Sequence, residues 1–257
     1  MWSRWESPFN WGNTWCSEQV FTSPDTALLH CQLALDIARK TGDTHTLARA
    51  HAITASAYRL LALFPRCEKE IQTAFKHAKS CSCCLAVVNR CLGNLRLYQK
   101  RFELAIKLFN EAIVHCQKHE DEDGVGRTLI CRGVAWWRLG KIDAALEDER
   151  RAITLLSPDT PEFFYLAALT NTCAFLATGE DRHFVNAESF LDQFHRFLAG
   201  RSNVTAVRVR LSWTRGLVLA RLGQRKRALQ MLRKARKRFL NTRQDAEAVA
   251  ITADIST

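Results

Sequence analysis

The run Trp137-Arg138-Leu139-Gly140-Lys141-Ile142-Asp143-Ala144-Ala145 returns, with other letters, as Leu219-Ala220-Arg221-Leu222-Gly223-Gln224-Arg225-Lys226-Arg227-Ala228. In both, Leu-Gly ends one amphipathic segment, and an alanine five residues past the glycine opens the packing face of the next. A glycine just after a helix can turn left-handed without a Cβ penalty, and an alanine lets the next backbone come close. The register extends outward from this turn. Gly93, Ala105 and Ala112 precede Gly133, Ala145 and Ala152 by 40 residues each, and Gly216, Ala228 and Ala235 follow 83 later, with room for one degenerate copy between. Small residues returning at a fixed period mark stacked helix pairs.

Apolar periodicity places helices near 25–40, 45–61, 66–79, 84–98, 101–118, 123–139, 142–156, 161–178, 182–198, 203–221 and 224–240, with a short one at 243–254. Phe102, Ala105, Ile106, Phe109, Ala112 and Ile113 form a stripe of the helical period. The breaks fall at Thr41-Gly42-Asp43, Phe64-Pro65, Gly140-Lys141, Ser157-Pro158 and Gly223-Gln224. The acidic run Glu120-Asp121-Glu122-Asp123 reads as a cap on the helix that follows it.

These motifs resemble the tetratricopeptide repeat family. Leu92-Gly93, Leu104-Ala105, Phe109 and Ala112 carry its register, as do Gly133, Trp136, Gly140, Ala145, Ala152 and Pro158, and finally Gly216, Gly223, Ala228, Leu232 and Ala235. Ala55, Tyr58, Cys67 and Ala74 fit a weaker copy, and 161–198 keeps only the helix-pair length. The usual repeat is about 34 residues, so these units resemble the longer-repeat variety of bacterial regulatory and adaptor proteins. The resemblance implies an all-α, right-handed α-solenoid of antiparallel helix pairs over 25–240. The segment 1–24, with Trp2, Trp5, Trp11 and Trp15, reads as a cap over the first helix or a docking motif, and 241–257 as a C-terminal cap or tail.

In such folds the first helix of each pair lines a concave groove. That implies a partner face at Arg49, Asn89, Arg96, Arg127, Arg132, Asn171, Arg208 and Arg215, suited to acidic protein or peptide groups because arginine grips carboxylates bidentately. The expected role is a noncatalytic protein- or peptide-binding scaffold, adaptor or regulatory sensor, in a larger complex or alone. The second reading is nucleic-acid association. From Arg201 to Arg243 there are fourteen Lys/Arg and no Asp/Glu, so with a net charge of +11 the rest of the chain sums to −3. Arg225, Lys226, Arg227, Arg233, Lys234, Arg236, Lys237, Arg238 and Arg243 are its phosphate-binding candidates. No sequence-reading nucleic-acid motif accompanies them.

No phosphate-binding loop, dinucleotide fingerprint or nucleophile elbow occurs, so no enzyme and no cofactor are expected. The ten cysteines lie mostly inside helical segments and read as reduced packing residues of a cytoplasmic protein. Cys81, Cys83, Cys84 and Cys91, with His77 upstream, contain a Cys-x-x-Cys. A closed zinc site needs four converging ligands, and this group straddles a helix junction, so it reads as packed or reactive thiols. No apolar run is long enough to cross a bilayer, and membrane binding is not expected.

Overall fold

The computed structural model describes residues 24–156 apart from position 80, scattered positions between 180 and 220, and most of 222–256. Through them run α1 (Pro24–Thr41), α2 (Thr44–Leu60), α3 (Phe64–Ala78), α4 (Ser82–Tyr98), α5 (Phe102–Gln117), α6 (Glu122–Arg138), α7 (Ile142–Leu155), α8 (Arg225–Asn241) and α9 (Asp245–Ser256). No strand occurs among the described residues. The tryptophan-rich start (Trp2, Trp5, Trp11, Trp15), the helix expected at 161–178 with Asn171, and Arg208 lie outside them.

The helix ends follow from local chemistry. Asp43 caps α2, its carboxylate accepting from the Thr46 backbone N–H at 3.0 Å and from the Thr46 hydroxyl at 2.6 Å. Asp121 caps α6 by accepting from the Gly124 N–H at 2.9 Å, with Glu122 and Asp123 in the first turn. The acidic run is therefore a helix start. Pro65 sits in the first turn of α3, where its missing donor leaves nothing unsatisfied. Gly140 and Gly223 turn left-handed, with φ of +73° and +71°. At the position equivalent to Gly140, 40 residues earlier, Lys100 adopts φ +60° despite its side chain.

The helices pack as successive hairpins: α2 on α3, α4 on α5, α6 on α7. The small residues lie between them. A Cβ at Gly93 would stand 2.5 Å from the Phe109 ring, one at Gly133 3.4 Å from the Ala145 carbonyl oxygen, and one at Gly216 2.7 Å from Leu232. Ala105, Ala112, Ala145 and Ala152 are fully buried opposite these glycines or beside them. The glycine–alanine register is thus the seam along which the two helices of each pair nest. The result is an all-α helix-pair solenoid.

Burial separates its two layers. From 46 to 60 and from 81 to 99, through α2 and α4, no residue is exposed, whereas α5 exposes Glu103, Lys107, Asn110, Glu111 and Gln117. The first helices also touch one another across pairs, α2 with α4 and α4 with α6. Hence α2 and α4 are the more enclosed helices of their pairs, and α2, α4 and α6 form a row that touches from pair to pair. At the other end α9 packs on α8, with Ala248 and Ile251 buried beside Phe239, and also touches α2. There Arg243 lies 3.3 Å from Asp25 of α1.

Candidate functional site

The row of first helices is positively biased by its sequence at α2 and α4. Neither α2 nor α4 contains an Asp or Glu, while they carry Arg49, Arg59, Arg90 and Arg96. Arg59 is 6% exposed, and its guanidinium lies 4.7 Å from the centre of the Tyr98 ring. That stacking joins α2 to α4 and holds a cation where little water reaches. Burial pushes the Cys131 and Cys116 thiols up, and the charge of Arg90 on α4 opposes it. Asn94, Leu97 and Tyr98 of α4 and Ile130, Val134 and Trp137 of α6 are half-buried, Leu97 packing towards Phe109 and Trp137 towards Leu146.

The residues expected from sequence divide into groups. Arg49 is half-buried on α2, and Asn89 is 5% exposed on α4. Arg96 donates to Glu68 of α3 at 2.6 Å and to Gln99 at 2.7 Å. Arg132 grips Asp148 of α7 with two donors, at 2.7 and 2.5 Å, and also reaches Asn110 of α5. Arg215 lies 2.6 Å from Asp192. Thus Arg96, Arg132 and Arg215 hold carboxylates of the chain itself, and a partner's acidic group would compete with them. Arg127 makes an exposed pair with Asp123 within α6. Arg59 and Arg90 escaped the sequence reading because their neighbours, Tyr98 and Cys131, lie 39 and 41 positions away. The repeat offset was the available signal.

The basic helix α8 buries Ala228, Leu232, Ala235 and Phe239. Its eight cations, Arg225, Lys226, Arg227, Arg233, Lys234, Arg236, Lys237 and Arg238, are all exposed, as is Arg243 beyond it. Arg227 donates to Gln224, and Arg236 donates to Thr252 of α9.

A third feature lies where α2 and α4 begin. The Nε2 of His45 is 3.2 Å from the Cys83 sulfur, Cys81 and Cys83 sulfurs are 3.1 Å apart, and the Cys84 sulfur is 3.8 Å from the His45 carbonyl oxygen. One ligand atom from each of His45, Cys81, Cys83 and Cys84 lies within 4.8 Å of all the others. The other two residues read from sequence go elsewhere. His77 stacks on His51 at 5.6 Å, and Cys91 sits 3.4 Å from the Ser56 hydroxyl. Burial pushes His45 down, which favours its neutral, ligating form, and pushes Cys83 and Cys84 up. Burial also raises Cys81, but the Cys83 thiol and the amides that open α4 outweigh it and leave this thiol lowered. Cys67, by contrast, is an inert core thiol pushed up to about 12 by burial.

No family model matches the chain. No curated protein matches it. Among solved structures, BtubC (BKLC) from P. vanneervenii is similar over 91% of this chain and 91% of its own, at 14% identity and a TM-score of 0.60. Pseudomonas aeruginosa pilF is similar over 94% of this chain and 99% of its own, at 16% identity and a TM-score of 0.47. At such identity the likeness to BtubC speaks for the fold alone, an all-α stack of helix pairs. Among the described residues no helix is long and apolar enough to cross a membrane.

Proposed function

We propose that this chain is a noncatalytic scaffold in which α2, α4 and α6 form an inner wall that holds an acidic peptide or protein segment. The observation that carries this reading is the pair α2 and α4: they touch, expose nothing fully beyond Thr44 and His45 at the start of α2, and bear four arginines without a carboxylate. A shallow surface of half-buried aliphatic and aromatic groups supplies contact area, and the arginines supply sign selection. Stacked pairs suit an extended ligand because each contributes the same face one repeat further on.

The test is fluorescence anisotropy of a labelled peptide pool against the full chain. Acidic peptides should be retained over basic ones, more weakly as salt rises. Arg90→Glu should weaken that binding by about tenfold or more, and Arg233→Glu on α8 should leave it unchanged. Retention of the same peptides by Arg90→Glu would refute the groove. Arg96 and Arg132 are poorer probes, because reversing them also strands Glu68 or Asp148.

The second reading rests on α8, whose eight exposed cations share a helix with no acidic residue. Such a face would neutralise phosphates without reading bases. Binding to RNA or DNA at low salt that falls as salt rises, and is lost on replacing Arg233, Lys234 and Lys237 by Gln, would support it. No affinity at low salt would exclude it.

A further inference from the structure

We infer that His45, Cys81, Cys83 and Cys84 form a three-cysteine, one-histidine site for a soft divalent cation, zinc above all, which clips α2 to α4. Tetrahedral zinc takes thiolate sulfur at about 2.3 Å and imidazole nitrogen at about 2.0–2.1 Å, so neighbouring ligand atoms stand roughly 3.5–3.8 Å apart. The four atoms here span that scale, with the closest contacts at 3.1 and 3.2 Å and all separations within 4.8 Å. Thiolates and imidazole together select zinc over the hard cations, which prefer oxygen.

The fold explains why four ligands converge where the sequence shows only three close together. Cys81 is the residue that opens α4, and Cys83 and Cys84 lie in its first turn. His45 is the second residue of α2. Equivalent positions of successive first helices are adjacent, so His45 lies beside a cysteine 39 residues later. His45 is exposed and Cys84 buried, which leaves one side open for a cation to enter and one side anchored. The sulfurs are free thiols rather than a disulfide.

The surroundings fit the charge of such a centre. Zinc with three thiolates carries a net negative charge; neither α2 nor α4 adds a carboxylate to it, and Asp43, whose charge acts on His45, is engaged by Thr46 as the cap of α2. Arg49, one turn beyond His45, acts electrostatically on both His45 and Cys83. Its Nε is buried without a hydrogen-bond partner. A thiolate is an acceptor of the kind that such an N–H lacks, and donors of this kind orient metal-bound sulfur. Because each repeat contacts mainly its neighbours, a metal joining two first helices would stiffen this end of the array. The inference does not depend on what the inner wall binds.

The experiment uses the full chain, reduced, purified without a metal-affinity tag or chelator. Elemental analysis should find about one zinc per chain. Cobalt in its place should give sulfur-to-cobalt charge-transfer absorption and tetrahedral ligand-field bands. His45→Ala and Cys83→Ser should each lower zinc affinity by more than the roughly 10–100-fold expected of an outer-shell change, and Cys91→Ser should not. His45 is exposed, so circular dichroism of His45→Ala should match the parent. Chelation should lower the Tm of the parent and leave that of His45→Ala unmoved. Absence of zinc from the folded, reduced protein would overturn the site. So would zinc that survives both substitutions, an octahedral cobalt spectrum, or an equal loss in Cys91→Ser.

Discussion

Replacing Gly93 by alanine should destabilise the protein, whereas the same change at Gly133, its equivalent one repeat later, should not. A Cβ at Gly93 would lie 2.5 Å from Phe109 Cε1 and 2.8 Å from Cδ1. That ring is fully buried among Ala105, Ile106 and Ala135, so it would have to retreat by about 1 Å into atoms already in contact. Overpacking of this kind costs about 1–3 kcal/mol. The better helix propensity of alanine returns about 1 kcal/mol, which leaves a net loss of up to about 2 kcal/mol. At Gly133 the nearest atoms, the Ala145 oxygen and Glu149 Cγ, both stand at 3.4 Å, an ordinary contact. There the propensity gain survives, and Gly133→Ala should be neutral or stabilised by up to about 1 kcal/mol. Urea unfolding followed by circular dichroism and by tryptophan fluorescence measures both, and the two probes check that the array unfolds as one unit. Phe109→Leu in the Gly93→Ala background should restore part of the loss, giving a coupling a double-mutant cycle can read. If Gly93→Ala proved as stable as Gly133→Ala, the seam between α4 and α5 would not be packed as described.

Two further substitutions test packing elsewhere. Arg132→Ala strands Asp148, whose side chain is 6% exposed, and should cost about 3 kcal/mol. Arg127→Ala removes an exposed pair with Asp123 and should cost about 0.5 kcal/mol or less, so equal urea midpoints for the two variants would count against the buried clamp. Lys100→Gly relieves a left-handed residue at φ +60° and should raise stability by about 1 kcal/mol in thermal unfolding, a fall being the contrary result.

Features settled within a few residues were open to reading from the chain's letters alone. The stripe read over 101–118 is α5, Phe102–Gln117, and the glycines expected to turn left-handed at 140 and 223 do so. The cap at Asp121 and the buried face of α8 at Leu232, Ala235 and Phe239 were equally legible. Helix periodicity, capping and glycine conformations are short-range properties, so their causes lie in adjacent letters. Repeated at 40 residues, the glycine–alanine spacing also carried the nesting of Gly133 against Ala145.

Which side chains meet was settled by the packing of helix on helix. Arg96 and Arg132 looked alike in sequence as groove residues, yet each reaches a carboxylate on a second helix, Glu68 or Asp148. The cysteine group was visible, but its histidine is His45 rather than His77. Neighbours along one helix are set by its own pitch. Neighbours across helices depend on how far each pair rotates against the last, and that rotation comes from packing summed over the whole seam.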